Sequence, residues 1–167
     1  MAINDVKIVD SAGYSAVPTR TFKVDDLTTT SDTTIYPGEP VKIYGEEDGN
    51  YAVHLATGDP EIGTDIMIGI ASSQSTATSS AEGTVDVYMP MPGVVYRCAA
   101  TTPANLDDGV LLDTVCFDLT TLTYTVDENE GSDENVHPLR IVDYNSTNGT
   151  VDFIINPKVT ILDGLNA

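Results

Sequence analysis

The sequence predicts an all-β protein, a sandwich or partly closed barrel of about nine short, mainly antiparallel strands with an extended N-terminal arm. Apolar and polar residues alternate with a period of two over many short runs, which places the apolar side chains on one face of a strand. Threonine, valine and isoleucine are frequent, and glycine or proline interrupts most windows before three helical turns could form. Turn-forming residues separate the runs at a spacing typical of sandwiches and barrels.

We expect an N-terminal arm or lead-in segment over residues 1–35 and a single β domain over residues 36–167. The first segment is polar and rich in threonine, and its apolar pieces, such as Val6 to Val9, are short. A chain of 167 residues is long enough for one domain to bury a core without metal or disulfide support.

Several runs have clear strand patterns. Residues 66–71 are apolar on both faces, so we expect this strand to be covered on both sides. Residues 139–144 and 151–156 flank the Asn148-Gly149 turn and predict a β-hairpin. Residues 111–119 fit helix and strand spacing equally well, and we expect a strand there. The other strand runs are residues 51–56, 84–89 and 121–126.

Two segments between the strands read as loops. Residues 72–81 consist of serine, threonine, alanine and glutamine, which bury too little surface to order themselves. We expect this loop to be either flexible or held by a neighbour. Residues 127–134 concentrate acidic side chains and predict a solvated loop.

Charge excludes two classes of partner. The chain has 26 acidic and 7 basic residues, a formal net charge of -19. Nucleic-acid binding depends on clustered lysine and arginine, whereas the basic residues here are scattered. The same negative charge disfavours anionic membranes, and no run approaches 18 apolar residues. The amino terminus lacks the pattern of a secretory signal. We therefore expect a soluble protein with no nucleic-acid or membrane partner.

Two cysteines, Cys98 and Cys116, are too few for a disulfide framework or a cysteine-rich zinc cluster. We interpret them as two buried, small apolar residues. A single bridge between neighbouring strands is the alternative.

A metal site is conceivable only in the acidic loop. Asp127, Asn129 and Asp133 offer the oxygen ligands that calcium prefers. The EF-hand pattern fails, however, because Gly131 falls one place early and the final bidentate glutamate is missing. We predict a solvated turn there, and no metal or cofactor.

Catalytic residues are not predicted. Nucleophilic catalysis would place a serine or cysteine beside a histidine base, and the chain has only His54 and His137. Neither is accompanied by a nucleophile elbow or a phosphate-binding glycine loop. Chance pairs of carboxylates are inevitable among 26 acidic residues, so they carry little information about glycoside cleavage. We therefore expect that the protein is not an enzyme.

The central part of the chain resembles the capsid decoration proteins of tailed bacteriophages, also called cement or head-stabilising proteins. The resemblance covers about residues 37–100 and rests on short motifs in a particular order. These motifs are PGEPV at residues 37–41, IGIA at 68–71 before the serine- and threonine-rich loop, GTVDVY at 83–88 and PGVVY at 92–96.

The resemblance implies a β-rich virion structural protein that decorates the outer capsid surface and stabilises contacts between major capsid protein subunits. Its partners would be the major capsid protein and further copies of itself, most often as a homotrimer. It would be made in the host cytoplasm and reside on the virion.

An arm that becomes ordered on binding loses conformational entropy of about 1 to 2 kcal/mol per residue, so it must bury apolar side chains in compensation. Within residues 1–20, the side chains predicted to bind the capsid are Ile3, Val6, Ile8, Val9 and Tyr14.

Two other functions remain open at this stage. The first is a tail- or fibre-associated β module that recognises a receptor. The second, from a different class, is a calcium-dependent carbohydrate-binding or hydrolase-like domain that uses the acidic loop.

Overall fold

Two antiparallel β-sheets of five strands each, together with a separate two-stranded hairpin, make up the fold. The computed structural model describes residues 5–26, 34–46, 49–121, 123–130 and 136–163, and within these ranges it contains no α-helix. The all-β prediction is therefore confirmed. Of the two predicted architectures, the sheets form a packed sandwich and no closed barrel.

The strands are numbered in chain order. They are β1 (Lys7–Asp10), β2 (Thr19–Val24), β3 (Pro40–Glu46), β4 (Gly49–His54), β5 (Met67–Ala71), β6 (Gly83–Tyr88), β7 (Val95–Ala99), β8 (Thr114–Val115), β9 (Phe117–Thr120), β10 (Thr123–Val126), β11 (Leu139–Asn145) and β12 (Thr150–Ile155). Short 3-10 helices lie at Pro103–Asn105, Asp108–Val110, Pro157–Val159 and Ile161–Asp163.

The first sheet has the strand order β1-β7-β12-β11-β8, and the second has the order β2-β6-β5-β3-β4. The predicted hairpin is confirmed, because β11 and β12 pair from Leu139 with Ile155 to Asn145 with Thr150. Gly149 closes this hairpin at a φ of 64°, a conformation that glycine adopts at little cost. Of residues 111–119, interpreted as a strand, residues 114–115 lie in β8 and 117–119 in β9, whereas residues 111–112 form a turn before β8.

Strand β5 is buried along its whole length, as predicted for a strand covered on both sides. Met67 and Ile70 belong to the core between the sheets. Ile68 and Ala71 belong to a second core on the other face of the second sheet. Ile66, which precedes the strand, is instead 52% exposed.

The described part of the lead-in is paired with both sheets. Strand β1 pairs with β7 at the edge of the first sheet, and β2 pairs with β6 at the edge of the second. Before β1, the Val6 amide donates to the Gly38 carbonyl (3.1 Å), and the Tyr124 amide donates to the Asp5 carboxylate (2.8 Å). The segment therefore crosses from one sheet to the other and joins them.

The serine- and threonine-rich loop at residues 72–81 is held by its neighbours. Ser75 exchanges two hydrogen bonds with the Ile35 backbone, through its amide (2.9 Å) and its hydroxyl (3.0 Å). Thr76 donates its amide to the Thr84 carbonyl (3.0 Å). Of the two predicted states of this loop, the held one is therefore observed.

Four aromatic rings form the centre of the core between the sheets. Phe117 packs edge-on against Phe153 (5.5 Å between ring centroids) and against Tyr124 (6.0 Å). Phe153 in turn stacks on Tyr96 (5.9 Å). The Tyr124 hydroxyl donates to the Leu55 carbonyl just after β4 (2.7 Å), so the β9–β10 hairpin is tied to the second sheet. This cluster connects all three β units of the fold.

A second core lies inside the curve of the second sheet, where its edge strands β2 and β4 come into contact. Glu82 bridges this gap by accepting a hydrogen bond from the Tyr51 hydroxyl (2.7 Å) and pairing with Lys23 (3.2 Å). No backbone ladder joins β2 to β4 in the described residues, so the sheet stays open. The buried residues of this second core are Val24, Ile35, Val41, Ala52, Ile68, Ala71, Val85 and Val87.

Both cysteines are buried and free. The Cys98 thiol donates to the Tyr124 carbonyl (3.3 Å), and the Cys116 thiol donates to the Glu130 carboxylate (3.2 Å). The interpretation of two buried, unbridged residues is confirmed.

Replacement of Phe117 by alanine tests the aromatic cluster. We expect the free energy of unfolding to fall by about 3 to 5 kcal/mol, because the change leaves a cavity where three β units meet. Urea denaturation of the two proteins measures the difference. The control is Thr123→Ala on the exposed face of the same hairpin, where we expect a change within about 0.5 kcal/mol. A loss below about 1 kcal/mol for the Phe117 variant would contradict the assigned role.

Candidate docking surface

The predicted capsid-binding residues occupy different environments. Val6 is buried in the core at 3% exposure, and Ile8 and Tyr14 are partly buried and pack against the same core. Val9 is 42% exposed on the edge strand β1. Ile3 lies outside the described residues. The structure thus brings Val6, Ile8 and Tyr14 together inside the molecule and leaves Val9 as the one largely exposed member among the described positions.

A different group of apolar side chains is exposed at the β8 edge of the first sheet. Leu111, Leu112 and Val142 are 39%, 63% and 36% exposed. The Leu112 amide donates to the Ile141 carbonyl (3.0 Å), so the leucine segment runs beside β11 and beside Val142. We call these three residues and the carboxylates of Asp107, Asp108 and Asp143, which neighbour them in sequence, the leucine surface.

Leu112 is strained as well as exposed. Its φ is 70°, in the left-handed region that costs a residue with a side chain roughly 1 to 2 kcal/mol. Bulky residues rarely adopt this conformation, and strained residues are concentrated at sites of function. A side chain that is 63% exposed gains little from the core to offset the strain. Leu112 is thus the most exposed large apolar side chain among the described residues, and its backbone adopts the left-handed conformation.

Three carboxylates that neighbour the leucines or Val142 in sequence lie around the Tyr144 phenol. Asp107 accepts a hydrogen bond from the Gly109 amide (2.7 Å) at the start of a 3-10 helix, and Asp108 accepts one from the Tyr144 hydroxyl (2.7 Å). The hydrogen bond to Asp108 raises the pKa of the Tyr144 phenol, and the charges of Asp107 and Asp143 act in the same direction. The leucine surface therefore combines exposed apolar side chains with negative charge.

Some basic side chains are held in ion pairs, and one of them, Arg97, lies close enough to Asp143 for that charge to contribute to its raised pKa, after the larger effect of Asp152. Arg97 makes a two-pronged pair with Asp152 (2.6 and 2.7 Å). Lys42 contacts Asp59 (2.8 Å) and Asp65 (2.6 Å). Burial alone would lower the pKa of Lys42, but the hydrogen bonds and charges of the two aspartates outweigh it and raise the pKa.

Neither histidine is arranged for catalysis in the described residues. His54 lies 3.7 Å from Glu39, a buried carboxylate that accepts the Tyr36 amide and so fixes the turn before β3. His137 lies near Cys116, but burial and the neighbouring Glu130 raise the pKa of that thiol. A nucleophilic cysteine needs the opposite, a lowered pKa in an electropositive and accessible setting.

The oxygen atoms of the acidic loop bond to their own turn and to the segment that follows β7. The Asp127 carboxylate accepts a hydrogen bond from the backbone N–H of Asn129 (3.0 Å). The Asn129 side chain donates to the Glu128 carboxylate and accepts from the Asn105 side chain. Asp133, the third proposed calcium ligand, lies outside the described residues. The described oxygen atoms do not converge on a common point. Another trio in the same region does, namely Cys116, Glu130 and His137.

Sequence reasoning missed both the leucine surface and this trio. The leucines stand in the stretch DDGVLLD at residues 107–113, where a pair of leucines is flanked by aspartates in a turn-forming context. That pattern was a usable signal for an exposed apolar site. The trio has no comparable signal, because its members are brought together by topology alone.

No known family model matches this chain, and comparisons with curated proteins and with solved structures likewise give no match. Within the described residues, no helix has the length and apolar character needed to cross a membrane.

Replacement of Leu112 by glycine tests the strain. We expect the free energy of unfolding to rise by about 1 kcal/mol, because glycine adopts the left-handed conformation without penalty. Leu111→Gly is the matched control, since Leu111 has an ordinary φ of -65°. There glycine is expected to lower stability by about 0.5 to 1 kcal/mol. Equal losses in both variants, measured by urea unfolding, would argue against strain at Leu112.

The carboxylates around Tyr144 predict a titration result. In an Asp108→Asn variant the Tyr144 pKa should fall towards its usual range, because the phenolate no longer faces the charge of that carboxylate. Carbon NMR of tyrosine labelled at Cζ measures the shift, and Tyr144→Phe assigns the resonance. An unchanged Tyr144 pKa would contradict the placement of Asp108.

Proposed function

We propose that the protein is a virion structural component that binds the outer surface of the capsid and stabilises contacts between major capsid protein subunits. The observation that carries this proposal is the leucine surface, in which exposed apolar side chains, one of them strained, are combined with negative charge on a β-sandwich. The resemblance to capsid decoration proteins supplies the identity of the partner.

The motifs of that resemblance build one continuous part of the fold. Residues 37–41 form the turn into β3, and residues 68–71 and 83–88 are β5 and β6. Residues 92–96 lead from the second sheet into β7 of the first. These four motifs therefore lie in the second sheet and in its connection to the first sheet. The leucine surface lies outside this stretch.

The composition of the leucine surface suits a partner of opposite charge. Protein interfaces commonly have a desolvated apolar centre inside a polar rim, and the centre supplies most of the binding free energy. Full burial of a leucine or valine side chain contributes about 1.5 to 3 kcal/mol. Asp107, Asp108 and Asp143 would pair with basic groups around a recess on the capsid and set the orientation.

Net charge supports the same choice of partner. At -19, copies of the free chain repel one another, and the charge steers them towards a basic surface. Free copies would therefore associate with a basic capsid surface in preference to one another. Trimer formation on the capsid remains a prediction, which particle reconstruction tests directly.

Val9 on β1 offers a second, smaller contact from the lead-in. Removal of residues 1–20 would be a poor test of this contact, because it deletes β1 and the buried Val6 along with the exposed side chain. The substitution Val9→Asp changes only the exposed position. It separates binding from folding.

Binding to the capsid is tested by co-sedimentation with expanded shells assembled from the major capsid protein of the same virus. We expect Leu112→Gly to weaken binding at least about tenfold, the loss typical of an interface residue worth more than 1 kcal/mol. The same substitution is expected to stabilise the free protein, so a folding defect cannot cause the loss.

Ile66→Asp is the matched control, because Ile66 is also highly exposed but belongs to the second sheet. It should bind like the unaltered chain. Higher salt should weaken binding of the unaltered protein, and the double variant Asp107→Asn, Asp108→Asn should show a smaller salt effect. If Leu112→Gly binds shells normally, or if labelled protein is found on tails rather than on heads, the proposal fails.

A further inference from the structure

Cys116, Glu130 and His137 converge on one point although they come from separate parts of the chain. Cys116 lies between β8 and β9, Glu130 follows β10, and His137 precedes β11. The Cys116 sulfur is 3.2 Å from the Glu130 Oε2, and the His137 Nε2 is 3.8 Å from the Glu130 Oε1. One ligand atom from each of the three residues lies within 4.8 Å of the others.

We infer that this trio binds a zinc ion. Tetrahedral zinc holds sulfur, nitrogen and oxygen ligands at about 2.0 to 2.3 Å, which places neighbouring ligand atoms roughly 3.3 to 3.8 Å apart. The Cys116 sulfur and the His137 Nε2 approach different oxygens of Glu130, at 3.2 and 3.8 Å, and one ligand atom from each residue lies within 4.8 Å of the others, so zinc binding requires the side chains to draw closer together. Three protein ligands leave the fourth position for water.

The chemistry of the ligands selects the type of ion. Calcium and magnesium take oxygen ligands, so a set with a thiol and an imidazole is poorly suited to them. Zinc accepts all three donor types. Binding replaces the thiol proton of Cys116, which leaves to solvent as the sulfur–zinc bond forms. The thiolate and the Glu130 carboxylate then balance the two positive charges of the ion.

His137 presents one ring nitrogen to the trio. Its side chain is only 15% exposed, and its Nε2 lies 3.8 Å from the Glu130 Oε1, too far for a hydrogen bond. Nε2 is therefore the nitrogen placed to bind an ion. Its Nδ1 is buried without a hydrogen-bond partner among the described residues, and a metal at Nε2 leaves that atom to be satisfied by water.

The trio has one side towards solvent, because the Glu130 side chain is 36% exposed. An ion held there would act as a cross-link. Glu130 and His137 stand on either side of the connection from β10 to β11, and Cys116 belongs to the β8–β9 segment. Zinc would link this connection to the β8–β9 segment. Because the three ligands are together only in the folded chain, zinc would bind that state more tightly and so stabilise the fold.

Calorimetric titration of the chelator-treated, full-length protein with zinc chloride tests the inference. We expect one zinc per chain, a higher melting temperature with zinc, and a thiolate-to-metal charge-transfer band when cobalt replaces zinc. The variants Cys116→Ala and His137→Gln should each weaken zinc binding by about 100-fold or more. Two variants are controls. Cys98→Ala removes the buried thiol that is not in the trio, and Asp127→Asn changes a carboxylate in the same loop as Glu130.

Circular dichroism first establishes that each variant is folded. If Cys116→Ala does not fold, His137→Gln and Glu130→Gln decide the question. Absence of one-to-one binding at excess zinc would overturn the inference, as would binding that survives both the His137 and the Glu130 substitution. Calcium that binds at the same position as tightly as zinc would overturn it too. None of these outcomes depends on capsid binding, so the two proposals fail separately.

Discussion

The structure depends on the insertion of the β9–β10 hairpin between the two sheets. The Phe117 ring packs on Phe153 of the first sheet. The Phe117 amide donates to the Asp59 carbonyl (2.7 Å), and the Phe117 carbonyl accepts from the Gly58 amide (2.9 Å), in a turn between β4 and β5 of the second sheet. Tyr124 adds its hydroxyl bond to Leu55. Apolar packing and hydrogen bonding are therefore satisfied at the same place, which fixes the position of both sheets relative to the hairpin.

The same turn carries the most buried ion pairs, and this affects where the remaining charge can act. Asp59 and Asp65 are both paired with Lys42, and their other carboxylate contacts go to backbone amides of the turn. A single ammonium group neutralises only one of the two carboxylates, so this turn keeps negative charge close to the core. Burial and the charges of nearby carboxylates, Asp59 among them, raise the pKa of Tyr124. Electrostatics and packing therefore meet at this turn, while Asp107, Asp108 and Asp143 carry further negative charge nearer the surface.

Period-two patterning predicted the strands that pack on the cores, because alternation reports directly which face of a strand is buried. The β11–β12 hairpin and the two-sided burial of β5 followed from this. Strands β1 and β2 were assigned only to a lead-in, since they are edge strands whose few apolar residues pair with β7 and β6 through tertiary contacts. The exposure of Leu112 had a local signal in the aspartates and glycine around it, but its place beside β11 did not, because it depends on a hydrogen bond to Ile141, which is distant in sequence.

Leu112 owes its positive φ to a β-turn. The Asp113 amide donates to the Val110 carbonyl (3.2 Å), and with Leu111 at φ -65° and ψ 128° and Leu112 at φ 70° this is a type II turn, whose third residue is usually glycine. The strain of roughly 1 to 2 kcal/mol is present in the free fold and is repaid by folding, so binding does not have to offset it. One buried leucine contributes only about 1.5 to 3 kcal/mol, which is less than the roughly 8 kcal/mol of a micromolar complex. In the proposed interface Leu111 and Val142 would therefore have to be buried with Leu112, which makes the whole surface, rather than a single residue, the unit of binding.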